Sequence, residues 1–202
     1  MLILITLINN NLIFLGVNMD ITLLRHGRPT FKIRGWLKSS ELGQMINTYE
    51  YAGICGSPTM DTRDHVRDCN VVVCSDLPRS VESAYRLGVK KIHSIDEHYR
   101  ECELPHFNSG SLMLPTKLWV ALLRTLWLLG FSKNAESISH AKERAKQVAY
   151  HLIKLAEEHQ TVVFVGHGVL NYYVAKELRS LNWRGPKRPK TSYWAMNIYR
   201  YR

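Results

Sequence analysis

The sequence predicts an α/β layer sandwich, and three observations carry that prediction. Short apolar, β-prone runs recur at Ile21 to Leu24, Val71 to Cys74 and Thr161 to Val165, with β-branched residues on both faces, as in strands buried in a parallel sheet. Each run ends in a turn that leads toward helical sequence. The stretch from about Glu136 to Glu158 places Ile138, Ala141, Ala145, Val148, Leu152 and Leu155 on one helical stripe. Such alternation, without an internal repeat, low-complexity tract or linker, points to one domain over residues 19–202.

The elements follow in order. Residues 1–18 form an apolar leader without charge, interrupted by Asn9, Asn10 and Asn11, which leaves it short and broken for a membrane span. It has no basic residue before Arg25 and no small-residue cleavage pattern, so it does not read as a signal peptide. We expect translation to start at Met19, immediately before the strand-like run; an uncleaved hydrophobic anchor is the alternative. After Val71 to Cys74, Pro78 suits a helix first turn, Ser75 or Asp76 is the candidate cap, and Arg79 to Leu87 continues the helix. Lys91 to Ile95 is strand-like and precedes the loop Tyr99 to Glu103. Pro115 to Leu129 reads as a buried helix, too short for a membrane and interrupted by Arg124. The stretch Glu136 to Glu158 turns Lys142, Arg144, Lys146, Lys154 and Glu157 toward solvent. Ser192 to Tyr199 alternates as a closing, half-exposed strand.

Composition narrows the function classes. The 202 residues are 46% hydrophobic, which excludes a disordered or fibrous chain. The four cysteines include no CxxC pair, so reduced structural thiols and a cytoplasmic location are expected. His93, His98, His106, His140, His151 and His159 show no paired metal spacing. There is no GxxxxGK[ST] loop and no HExxH, and Gly166-His167-Gly168-Val169-Leu170-Asn171 lacks the third glycine of a dinucleotide fingerprint. The net charge is +10, and Arg179, Arg184, Lys187, Arg188, Lys190, Arg200 and Arg202 have no acid among them. A solvated tail, or a field steering anionic substrates, is the plainer reading. Nucleic acid is a disfavoured partner because the basic run lacks an aromatic-interleaved motif.

In α/β sheets, ligands bind at the carboxyl ends of strands. Arg25-His26-Gly27, the turn leading to Arg79, and Gly166-His167-Gly168 would all meet at that edge, and such a gathering of cations calls for an anion. A phosphoryl group fits. Arg25 and Arg79 offer planar forks for its oxygens. A neutral His26 can attack phosphorus in line, and Gly27 lets a phosphate approach the backbone closely. His167, between Gly166 and Gly168 at a helix start, can donate to an equatorial oxygen beside backbone N–H groups. The leaving oxygen needs a proton, for which Glu101 and Glu103 are the candidates.

Leu24-Arg25-His26-Gly27, Ser75-Asp76-Leu77-Pro78-Arg79-Ser80 with Glu82-Ser83-Ala84, Tyr99-Arg100-Glu101 and Val165-Gly166-His167-Gly168 together resemble the histidine phosphatase superfamily, in that family's order. The resemblance spans residues 20–175 and implies a three-layer, phosphoglycerate-mutase-like sandwich with a mainly parallel sheet. It further implies a transient phosphohistidine on His26 and phosphate binding by Arg25, Arg79 and His167. Glu101 is implied as proton donor and then base, ahead of Glu103, because YRE sits like the family's LxE. Neither metal nor cofactor is implied. The usual Asn after RHG is replaced by Arg28-Pro29-Thr30, with Arg34 as a candidate substitute phosphate ligand, and the mutase-type RHGxSxWN is absent. Relatives act on small phosphomonoesters, on ribazole phosphate, or on phosphohistidine in signalling proteins. The carboxylates and a covering Pro115 to Leu129 helix favour a small phosphomonoester. A phosphohistidine phosphatase, and a binder of phosphorylated ligands, are the alternatives.

Overall fold

The computed structural model describes residues 5–8, 11–14 and 18–202. In the leader, Ile5–Ile8 pairs antiparallel with Asn11–Phe14; the rest of residues 1–17, and with it most of the reading of that segment, lies outside the described residues. No helix among the described residues is long and apolar enough to cross a membrane.

A five-stranded sheet forms the centre. Its strands are β1 (Met19–Arg25), β2 (Val71–Ser75), β3 (Ser94–Asp96), β4 (Thr161–Gly166) and β5 (Met196–Tyr201). Their spatial order is β5-β1-β4-β2-β3, parallel except for β5. Among the described residues, six α-helices accompany the sheet: α1 (Leu42–Glu50), α2 (Met60–Arg67), α3 (Pro78–Arg86), α4 (Thr116–Leu128), α5 (Ile138–His159) and α6 (Gly168–Ser180).

The two-residue period of a strand explains why both faces are apolar. Val71 and Val73 of β2, with Val162 and Phe164 of β4, join the core built on α5 and α6. Val72 and Cys74, with Val163 and Val165, join Val66 of α2 and Ala84 and Leu87 at α3. This is the expected three-layer arrangement. The apolar stripe of α5 is buried as its spacing predicts, and Ser137 caps the helix by accepting from His140 N.

α4 buries only one face, through Trp119, Leu123 and Trp127; Leu118, Leu122 and Leu128 are exposed, so the helix is less buried than its apolar run predicts. Trp119 and Leu123 pack with Leu42 and Met45 of α1 in a separate apolar cluster. That cluster braces α1 rather than the central sheet.

Three further expectations need correction. The α3 cap is Leu77, not Ser75 or Asp76: the Ser75 hydroxyl accepts Leu77 N at 3.2 Å, while Asp76 takes a forked ion pair from Arg100. The closing strand begins at Met196 rather than Ser192, because Trp194 turns the chain with a positive φ of 64°. Arg144 is not on a solvated face. It pairs with Glu136 and donates to the carbonyls of His98 and Arg100 at 2.7 and 2.8 Å.

Candidate active site

Strand register brings the distant residues together. Gly166 at the end of β4 lies opposite Arg25 at the end of β1, and Val165 lies opposite Cys74 near the end of β2. β4 leads into α6 on one face of the sheet, whereas α3, after β2, lies on the other. This divergence opens a crevice at the carboxyl edge, the place where α/β sheets bind ligands.

His26 and His167 stand in that crevice with ring centroids 5.0 Å apart, and they are 1% and 0% exposed. His26 Nδ1 lies 2.7 Å from the Gly27 carbonyl. A carbonyl only accepts, so the proton sits on Nδ1 and the Nε2 lone pair is free. Burial, then the charge of Arg79 and that of Arg25, lower the His26 pKa to about 3, against the opposing effect of the Gly27 hydrogen bond. Burial also holds His167 well below the usual imidazole range, reinforced by His26 and the two arginines.

These shifts give a stability prediction. An unfolded histidine gains its proton near pH 6.5, whereas folded His26 stays neutral down to about 3. In that window the unfolded chain binds the extra proton, so stability falls as pH falls below 6.5, by up to about 1.4 kcal/mol per pH unit for each such histidine. Urea midpoints at pH 7 and pH 5 should separate less in a His26→Ala variant than in the native protein; equal separations would contradict the buried, neutral state.

Arg79 is 2% exposed, donates to the carbonyls of Tyr49 (3.4 Å) and Glu50 (3.1 Å) from Nη1, and lies over the Tyr49 ring at 4.9 Å. Arg25 donates to the Thr191 carbonyl and lies 4.4 Å from the Tyr193 ring centroid. The buried Nε atoms of both arginines and Nδ1 of His167 have no hydrogen-bond partner within the protein. Buried donors left in this way are costly unless a ligand takes them.

The glycines have distinct roles. A Cβ on Gly27 would stand 2.4 Å from the Trp194 ring, so only glycine fits, and Gly27 N donates to Ser83 Oγ at 2.8 Å. A Cβ on Gly168 would meet the Arg25 guanidinium at an ordinary 3.4 Å.

Glu101 lies at the start of α6. Its Oε1 accepts from Cys102 N (2.9 Å), Leu170 N (3.0 Å) and Val169 N (3.1 Å), and Oε2 shares only the last, at 3.1 Å. The first-turn N–H groups expected to face a substrate are therefore taken by this carboxylate. Arg100 on Asp76 and Arg144 on the 98–100 backbone hold the loop that delivers it. Glu103 points elsewhere, accepting Glu136 N at 2.5 Å. Arg34 is exposed and lines a different cleft with Phe31, Glu41 and Gln44.

Tyr49 was not singled out by sequence reasoning; Tyr193 was given no role at this site, and Ser80 and Ser83 were quoted only as part of the motif around Arg79. Ser80 Oγ sits 3.2 Å from His167 Nε2. The serines had a faint signal, since they place hydroxyls on the apolar face of α3 beside Arg79. The tyrosines had none, because their stacking on arginine depends on loop placement.

These features define an α/β protein with two arginines and two buried imidazoles gathered at the carboxyl edge of its sheet. The sequence model of the histidine phosphatase superfamily (branch 1) matches residues 61–202, and the chain belongs to that superfamily. The matched residues include Arg79, Glu101 and His167 and begin after Arg25-His26-Gly27. No curated protein matches the sequence. Among solved structures, the chain is similar to that of the open reading frame Rv3214 of Mycobacterium tuberculosis, at 17% identity and a TM-score of 0.57, covering 89% of this chain and 90% of that one. It is also similar to mycobacterial glucosyl-3-phosphoglycerate phosphatase Rv2419c, at 18% identity and a TM-score of 0.54, covering 80% and 79%. A third is phosphoserine phosphatase from Entamoeba histolytica in complex with 3-phosphoglyceric acid, at 15% identity and a TM-score of 0.54, covering 89% of each chain. At these identities the likeness concerns the fold, a mainly parallel sheet flanked by helices.

Proposed function

We propose that the protein is a phosphatase that hydrolyses a small phosphomonoester through a phosphohistidine on His26. The observation that carries this reading is the hydrogen bond from Nδ1 to the Gly27 carbonyl, which leaves Nε2 with its lone pair amid two arginines and a second imidazole. Nε2 attacks phosphorus, and the bond from phosphorus to the ester oxygen breaks. Arg25, Arg79 and His167 stabilise the equatorial oxygens, and the positive phosphoimidazole is steadied by the Gly27 carbonyl. Glu101 gives its proton to the departing alkoxide. Oε2 is the oxygen suited to hold that proton, because Oε1 is already engaged by three N–H groups. Water then attacks phosphorus and gives a proton to Glu101, and the bond from phosphorus to Nε2 breaks, which restores neutral His26.

Burial of both imidazoles at the floor of the crevice supports a compact ester over a phosphohistidine displayed on a protein surface. Four free thiols suit a cytoplasmic enzyme. No metal takes part in these steps, so EDTA should leave turnover unchanged; its loss, restored by a divalent cation, would contradict this route.

The acid assignment is tested with Glu101→Gln, which retains an oxygen to cap α6 but carries no titratable proton. We expect turnover of alkyl phosphates to fall by about 10²–10⁴-fold, and that of p-nitrophenyl phosphate, whose leaving group needs no proton, by far less. A larger leaving-group effect from Glu103→Gln would move the role there. A panel of phosphorylated metabolites and a phosphohistidine peptide, assayed in EDTA, tests the whole reading. Hydrolysis of one or more metabolites is expected; turnover of the peptide alone would replace the substrate class.

A further inference from the structure

At the edge of the sheet opposite the crevice, the chain after α6 builds a second cationic cleft. Tyr201 of β5 pairs with Met19, six residues before Arg25, which sets the cleft about 20 Å from the His26 edge. Arg184 N donates to the Arg200 carbonyl (2.7 Å) and Arg200 N to the Arg184 carbonyl (2.8 Å), while the Tyr199 hydroxyl donates to the Pro186 carbonyl (3.1 Å). Gly185 is pressed so close to Tyr199 that a Cβ would stand 2.3 Å from its ring. The wall of the cleft is therefore fixed by backbone contacts.

The cleft, of about 550 Å³, is lined by Arg179, Arg184, Lys187 and Arg202 together with Asn182 and Trp183, and no acidic side chain lines it. Arg184 and Arg200 face each other across the backbone bridge, an arrangement of like charges that costs stability. Asp20 answers Arg200 at 3.2 Å, but no ion pair among the described residues answers Arg179, Arg184, Lys187 or Arg202. The carbonyls that end α6, those of Glu177, Leu178 and Arg179, are taken by the N–H groups of Leu181, Trp183 and Asn182. The potential in the cleft is thus left to the cations.

We infer that this cleft is a second anion-binding site, separate from the His26 crevice, for a compact ligand carrying two or more linked phosphates. Several converging cations exceed what one phosphate needs, three of them are planar arginine forks suited to phosphate oxygens, and the volume suits a small molecule rather than a polymer. The ligand's polyphosphate is the recognised group, whether free or attached to a nucleoside.

Isothermal titration of the full chain with methylenebisphosphonate, which has no hydrolysable bridge, tests this at about 0.15 M salt. Binding is expected to weaken by at least about tenfold in an Arg184→Glu/Lys187→Glu variant, through reversal of two charges, and to persist in Arg79→Ala. Arg202→Ala should shift affinity in the same direction, and an unchanged urea midpoint shows that the fold is kept. β,γ-Methylene-ATP binding more tightly than the bisphosphonate would identify a nucleoside source, and equal or weaker binding a free polyphosphate. The inference is overturned if the double variant binds as the native protein does, if Arg79→Ala alone removes binding, or if a short oligothymidylate binds while the bisphosphonate does not. None of these outcomes bears on hydrolysis at His26.

Discussion

Replacement of His26 by Ala is expected to lower kcat/KM for every phosphomonoester substrate by at least about 10⁴-fold, with the fold intact. The size of the effect follows from the absence of a second imidazole that can substitute. His167 has its Nε2 against the Ser80 hydroxyl and serves the phosphoryl oxygens in the proposed reaction, so the two arginines and His167 can hold a phosphate without supplying the lost nucleophile. The variant should still bind orthovanadate or phosphate. Steady-state kinetics with a chromogenic ester, alongside circular dichroism, checks this. A loss of less than about tenfold would mean that the nucleophile lies elsewhere or that water attacks directly.

Arg79→Met is expected to reduce kcat/KM by about 10²–10³-fold and, in the same protein, to raise the urea midpoint. Both effects have one cause. Burial depresses the Arg79 pKa and so works against its charge, the two carbonyls on Nη1 and the Tyr49 ring compensate in part, and Nε has no partner. A guanidinium in that state is held against its own solvation, which is useful only when an anion arrives. A midpoint that drops together with activity would instead make Arg79 a structural residue. Arg79→Lys should fall between, since it keeps a charge but loses the fork.

Much of this was legible in the sequence where one local rule dominates. The three core strands and the long helix announced themselves through uninterrupted β-branched runs and a regular apolar stripe, because both faces of the sheet are covered. Arg25, His26, Arg79 and His167 were legible because each lies at or just beyond a strand end, and parallel topology brings strand ends to one edge. What sequence could not supply were features set by contacts between distant segments. The cap of α3 went to Leu77 because Arg100 claims Asp76. Arg144 was read as a solvated charge, since nothing local shows that the carbonyls of His98 and Arg100 lie across from it. α1 and α2 went unread because their apolar faces are short, and α1 matters because its last carbonyls hold Arg79. The basic run after Arg179 was visible as composition, but its gathering around one cleft arises from the pairing of Arg184 with Arg200.

The covalent role of His26 is tested most directly by rapid acid-free quenching of steady turnover with a substrate labelled in its phosphoryl group, followed by peptide mapping. The account predicts a label that is lost in acid, stable in base and located on the peptide containing His26, with none in His26→Ala. Full turnover without any trapped label, or label on another residue, would contradict it.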